Sequence, residues 1–282
     1  MFDAIPLQLP TFNRLADYFG IWAIEPTAFL GQWSVAAATD LFRHVSAGPA
    51  PRPATQMSMQ PSKKGDKSVA VISVAGTLMK QQPSMGGTST VQIRRDVRAA
   101  ANDPNVSGIL LRVDSPGGTV SGTADLAADV KAARKMKPVW AHIEDLGASA
   151  AYWVASQADQ VFANTSTALV GSIGTVMTVY DASVAAEREG IKTLVFRTGP
   201  LKGLGTPGDP VSEEQSAHLQ AIVNEMQTHF DAAVRNGRGM SAAQLAAVKS
   251  GGVFTAAEAL DKRLIDGIRS LDSTLSALGA AK

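Results

Sequence analysis

A chain of 282 residues with 45% hydrophobic content is long enough to bury the core of one large domain or two small ones. Its 26 basic and 25 acidic residues are interspersed and leave a net charge of +1, which offers no basic face for nucleic acid and no polybasic membrane anchor. The sequence has no cysteine, so disulfide scaffolds, thiolate zinc sites and a cysteine nucleophile are excluded; the histidines (His44, His142, His218, His229) show no metal-ligand spacing, and no Gly-rich segment matches a nucleotide fingerprint. No metal or other cofactor is expected.

The first 47 residues carry Phe12, Leu15, Tyr18, Phe19, Trp22, Phe29, Leu30 and Trp33 at spacings that predict short helices, an N-terminal helical appendage. Asp3 and the absence of a basic leader before an apolar core argue against a signal peptide, and no window approaches the ~18 apolar residues of a membrane span. A cytoplasmic protein is the expectation. Residues 48–66 are rich in Pro, Ser, Gln and Lys and predict a flexible linker.

The main domain is expected over 67–282. VAVISVAG predicts a strand, STVQIRRDVRAAAN a helix, and SGILLRVDSPGG a strand that ends at Val113 and runs into a glycine turn. TADLAADVKAARKM follows as a helix opened by Ser121, then PVWAHI as a buried strand that LGA breaks, then SAAYWVAS as a helix start. GTVMTVY and TLVFRT read as later strands flanking a helix DASVAAEREG. Such alternation predicts an α/β domain with largely parallel pairing. The last third is helical: Ser212 with Gln215, Ser241 with Gln244 and Thr255 with Glu258 match capping boxes, and Leu219, Ile222, Val223, Met226, Phe230 and Val234 recur at core-facing helical spacing.

Chemistry concentrates at Ser149, set among small residues at the strand-to-helix junction, where backbone N–H groups lack helical acceptors. A serine in that position is more often a helix cap than a nucleophile, so it needs a base and an oxyanion site. The DSPGG turn offers the second, because Gly117 and Gly118 present N–H groups with no side chain in the way; a plain Pro-Gly turn would look the same. His142, seven residues before Ser149, reads better as a packed strand residue than as a base, and GASAA lacks the elbow of a Ser-His-Asp hydrolase. Lys202, in the Gly- and Pro-rich loop TGPLKGLGTPGDP, is the other candidate base. A lysine serves only when neutral, which demands an apolar, closed site.

Together these segments resemble the signal-peptide-peptidase A family of Ser/Lys endopeptidases, which includes head-maturation proteases of tailed phages. VAVISVAGTL, GILLRVDSPGG, GASAAYWVASQADQVFA, GSIGT, TGPLKGLGTP, NGRGM and GGVFTAAEALDKRLIDGI match in order across about 67–268. The resemblance implies Ser149 as nucleophile, Lys202 as general base, Gly118 as oxyanion donor with Gly117 shaping the turn, and Ser172 of GSIGT orienting the lysine amine. Ala150 and Ala151 stand where two glycines are commoner. It further implies a Clp-protease/crotonase-like α/β fold of stacked ββα units and a homo-oligomeric ring, in some members with the serine and lysine from neighbouring subunits.

Implied substrates are polypeptides: phage scaffold and capsid proteins, with the protease in the host cytoplasm or the prohead, or, in the cellular branch, signal-peptide remnants. FGIWAIEPTAFLGQW resembles the leader region of phage-type members, and no membrane anchor is read, so the phage branch is expected. A noncatalytic acyl-CoA binder of the crotonase fold is the alternative.

Overall fold

The computed structural model describes residues 21–25, 28, 57–62, 65–81 and 87–281. Strands β1 (Trp22–Ile24), β2 (Met57–Pro61), β3 (Ser68–Ala75), β4 (Leu78–Met79) and β5 (Thr88–Ser89) lead to helix α1 (Thr90–Asn102). Next come β6 (Val106–Ser115), β7 (Gly117–Thr119), α2 (Thr123–Ala133), β8 (Val139–Ala148) and α3 (Ala150–Ala155). The chain closes with β9 (Gln160–Ala163), β10 (Leu169–Gly171), α4 (Ser183–Arg188), α5 (Glu213–Arg238), α6 (Ala242–Ala246), β11 (Val253–Thr255), α7 (Ala256–Asp261), β12 (Gly267–Ile268) and α8 (Leu271–Ala280).

Two sheets share the work. The larger orders β11-β10-β8-β6-β3-β2, with β9 beside the first half of β8 and β12 beside β9; the smaller orders β1-β7-β4-β5. Successive units place one strand in each sheet and then a helix: β3, β4 and α1 after β5; β6, β7 and α2. Because β3 and β6 run parallel, as do β4 and β7, the units stack in register. This is the expected α/β architecture of stacked ββα units. The near-continuous apolar runs of β3, β6 and β8 follow from burial on both faces. On one face Ile93 and Val97 of α1, Leu126 and Val130 of α2 and the whole of α3 form the main core; on the other, Leu278 of α8 packs with Val69, Val71 and Leu110.

All three capping boxes form as read: Ser212–Gln215 opens α5, Ser241–Gln244 opens α6, and Thr255–Glu258 opens α7. Elsewhere the structure corrects the reading. Helix α2 is entered through Gly122 at φ +85°, not Ser121, because the left-handed turn there suits only glycine. LGA does not break β8, which runs to Ala148 and changes neighbour midway, from β9 to β10. The Pro-Gly turn is itself strand: β6 continues to Ser115, and β7 begins at Gly117.

Two segments expected outside the main domain pair with it. Met57–Pro61, inside the predicted linker, is an antiparallel edge strand against β3, and Trp22–Ile24, inside the predicted helical appendage, is a buried strand against β7. The other aromatic residues read as appendage helices lie outside the described residues. GTVMTVY and TLVFRT form no strands among the described residues, apart from a single bridge at Val176. The helix between them is present as α4. Likewise Leu219, Ile222, Val223 and Met226 of α5 are only half-buried, while Phe230 and Val234 are fully covered. The physical reason is common to both: the described residues supply no second layer for this stretch.

Candidate active site

β8 delivers Ser149 to the point where the larger sheet meets α3. Its backbone is forced into φ +55°, ψ −121°, which for a residue bearing a Cβ is strained. Neighbouring strands impose this: the Ser149 N–H donates to the Gly171 carbonyl at the end of β10 (2.7 Å), while its own carbonyl accepts the Trp153 N–H (2.8 Å). The side chain makes no capping bond, and the hydroxyl is fully buried without a hydrogen-bond partner. An unsatisfied buried hydroxyl costs about 1–3 kcal/mol, so a cap is the wrong description of this serine.

Gly117 closes the site from the smaller sheet. At φ +103° it turns under Ser149, and a Cβ placed on it would stand 2.9 Å from both the Ser149 Cβ and the Ala150 nitrogen and 2.2 Å from the Ala23 carbonyl oxygen. Any side chain on Gly118 would strike the Leu78 carbonyl at 1.8 Å. Both positions therefore require glycine for space, and Gly117 for its positive φ as well. Ser115, unremarked in the sequence, locks the turn: its hydroxyl donates to the Gly76 carbonyl (2.6 Å) and accepts the Gly117 N–H (3.2 Å). The Gly117 donor is thereby occupied; the Gly118 N–H follows it in β7, and the Ala150 N–H opens α3 directly after the serine. Ala150 is a second candidate donor that sequence reasoning missed; its position just after a serine at a helix start was the available signal.

Ser172 lies beside the residue that accepts the Ser149 N–H, at φ +50°, nearly buried, its N–H bonded to the Gly252 carbonyl (2.7 Å). His142 stands apart, fully buried, with its ring nitrogen Nδ1 3.0 Å from the Thr274 hydroxyl of α8. Burial foremost holds its pKa below the ordinary histidine value. Among the described residues no group of three His, Asp or Glu side chains is placed to hold a metal ion.

Lys202 is not brought to Ser149 within the protomer. It sits exposed on a turn, where its N–H donates to the Gly199 carbonyl. The loop is tied to α5 by Gln215, which donates to the Pro200 carbonyl (2.8 Å), while the other end of α5 holds the serine helix through Phe230 stacked on Trp153 at 4.7 Å. Fifteen residues separate Gln215 from Phe230 (numbers from the sequence), which is about 22 Å of helix. NGRGM contributes at the near end: Gly237 lies so close to the Ser156 carbonyl that a Cβ would meet it at 2.2 Å. Around the lysine loop apolar side chains lie open, with Phe196 94% and Leu194 66% exposed.

The chain is 34% identical over 202 residues to the capsid assembly protease C of Escherichia phage lambda, covering 70% of this chain and 46% of that one. It is 28% identical over 181 residues to a putative signal peptide peptidase of Enterococcus faecium, covering 64% and 52% respectively. It spans about half the length of these curated relatives. Among solved structures, a ClpP1 mutant from Listeria monocytogenes superposes with a TM-score of 0.45 at 12% identity, over 73% of this chain and 94% of that one. The model for Peptidase family S49 matches residues 131–282, a stretch that holds Ser149, Ser172 and Lys202 and exceeds half of the sequence, so the chain belongs to that family.

Proposed function

We propose that the protein is a serine endopeptidase in which Ser149 is the nucleophile and Lys202 the general base, supplied across a subunit boundary in a ring. The observation that carries the reading is the strained, buried Ser149 with an unpartnered hydroxyl beside the Gly117 turn. A neutral Lys202 takes the Ser149 proton as the oxygen attacks a peptide carbonyl, the Gly118 and Ala150 N–H groups stabilise the oxyanion, and the lysine returns the proton to the leaving amine. Water then repeats the sequence on the acyl-enzyme. Ser172 orients the lysine amine once it arrives.

Two facts favour delivery from another copy. The lysine loop is tethered far along α5 from the serine, and the exposed apolar side chains around it need a cover that would also exclude water from the amine. The peptidase domain comprises 67–282 together with the strands Trp22–Ile24 and Met57–Pro61 that complete its sheets, and its substrates are polypeptides. Similarity to the lambda capsid protease favours scaffold and capsid proteins, in the host cytoplasm or inside a prohead. Similarity to a signal peptide peptidase supports remnant peptides as the second reading. Among the described residues no helix is long and apolar enough to cross a membrane.

Ser149→Ala and Lys202→Ala should each lower cleavage of an unfolded test protein by at least ~10³-fold while the fold, read by thermal melting, persists. Mixing the two variants should restore part of the activity, because some interfaces then pair an intact serine with an intact lysine. Wild-type rates in both single variants would overturn the dyad; no recovery on mixing would return the pair to one subunit. Thermal stabilisation by CoA without labelling of Ser149 by a fluorophosphonate would favour an acyl-CoA binder instead.

A further inference from the structure

We infer that the segment Trp22–Ile24 is the chain's own first substrate, held in the strand-accepting slot beside Ser149 and cut between Ala23 and Ile24. The inference rests on Ser149 being the nucleophile. It starts from β1, a three-residue strand that is hydrogen-bonded on both edges by partners remote in sequence. On one edge it runs antiparallel to β7, with Trp22 opposite Thr119, Ala23 opposite Gly118 and Ile24 opposite Gly117. On the other, Trp22 exchanges both backbone bonds with Val176, each 2.9 Å.

The register decides which bond is presented. The Glu25 N–H donates to the Pro116 carbonyl (2.7 Å) and the Val120 N–H to the Ile21 carbonyl (2.9 Å). Hydrogen-bonded pairs alternate along an antiparallel ladder, so the pair between these two, Ala23 with Gly118, is also bonded, and the Gly118 N–H points at the Ala23 carbonyl. The same carbonyl oxygen and the Ser149 Cβ crowd one point, 2.2 and 2.9 Å from where a Gly117 Cβ would stand, with the Ala150 nitrogen also at 2.9 Å. The Ala23 carbonyl oxygen, the Ala150 nitrogen and the Ser149 Cβ thus gather around one point, and the Gly118 N–H is directed at that same oxygen.

Side chains and burial agree. Ala23 is fully buried, and Trp22 and Ile24 are buried on either side of it. An ordinary structural strand has no need of an unpartnered hydroxyl against its carbonyl, whereas a bound substrate does. β1 also accounts for the complete burial of Ser149: the slot is full of the chain itself.

The step balances as a hydrolysis. The Ser149 oxygen bonds to the Ala23 carbonyl carbon, the Ala23–Ile24 C–N bond breaks, and the serine proton passes through the lysine to the Ile24 amine. Water then splits the Ala23 ester, giving a carboxylate at Ala23 and restoring Ser149. Since the lysine arrives from a neighbour, the cut follows assembly and clears the slot for other polypeptides.

The test follows the full-length chain by intact mass and N-terminal sequencing while it assembles. Wild type should yield a protein beginning at Ile24 and the peptide Met1–Ala23, Ser149→Ala should stay whole, and Ile24→Pro should stay whole because the scissile amide is changed. Fluorophosphonate labelling of Ser149 in wild type should quicken at least ~10-fold as the new N-terminus accumulates, since an occupied slot lowers apparent reactivity by the fraction open. A wild-type protein that cleaves an added polypeptide in a Ser149-dependent way yet keeps its own N-terminus overturns this inference and leaves the peptidase reading standing. A new N-terminus other than Ile24, or an Ile24 N-terminus in Ser149→Ala, overturns it as well. Failure to cut either the added polypeptide or itself, with no probe labelling, overturns both.

Discussion

Tyr152 and Phe196 are both large aromatic residues, and their surroundings differ as much as those of any two in the chain. Tyr152 sits in the helix behind Ser149, without exposure and with its hydroxyl donating to the Leu264 carbonyl at 2.7 Å, whereas Phe196 in the arm between β10 and α5 is 94% exposed. The first region is finished: its strands are paired and its helices α1, α2 and α3 are covered. The arm carries strand-like sequence and apolar side chains, Phe196 and Leu194 among them, that stay exposed. Ser149 belongs to the finished region and Lys202 to the unfinished one, and the two are not brought together within the protomer; the proposed dyad therefore needs a second copy.

The largest effect that would sharpen this contrast lies on the finished side. Gly117→Ala should lower proteolysis ~100-fold or more, because the new methyl would collide with the Ala23 carbonyl and crowd Ser149 at a φ of +103°, disturbing the oxyanion turn. Steady-state cleavage beside a thermal melt checks it, and a full-rate Ala variant would mean that the turn does not border the reacting carbonyl. On the unfinished side, Phe196→Asp should leave the melting temperature nearly unchanged yet weaken self-association ~10-fold or more in sedimentation, with activity falling in step. Unaltered assembly would show that this face is not covered by a second copy.

The smallest effect concerns the core alone. Burial holds the His142 pKa below its ordinary value, so the unfolded chain binds that proton more readily than the native state. Stability is therefore retained above the unfolded histidine value of about 6.5 and declines as pH falls below it. Melts from neutral to mildly acid pH should show a shallower decline for His142→Gln than for wild type. Equal slopes would remove His142 as a source of acid sensitivity.

Much of the finished region could be read from the residues, and the physical reasons are local. Capping boxes are statements about three or four consecutive residues, so Ser212–Gln215, Ser241–Gln244 and Thr255–Glu258 were recognisable and form as read. The apolar runs of β3, β6 and β8 and the helices after them follow from burial on both faces. What escaped depends on partners distant in sequence. Trp22–Ile24 is too short for any periodicity, and it is a strand only because β7 and Val176 flank it. GTVMTVY and TLVFRT have strand composition, but among the described residues they find no strand neighbour beyond the Val176 bridge. The placement of Ser149 at a junction was visible in the sequence, but its positive φ was not, since β10 imposes that through the Gly171 carbonyl.

Helix α5 has a further consequence. It grips the lysine loop at one end through Gln215 and the serine helix at the other through Phe230, and so acts as a strut that holds Lys202 and Ser149 of one protomer apart. Under the proposed inter-subunit dyad, an isolated subunit would be an interlocked enzyme, harmless to the proteins around it as it is made. Specific activity would then climb steeply with protein concentration, and proteolysis would begin where subunits are gathered.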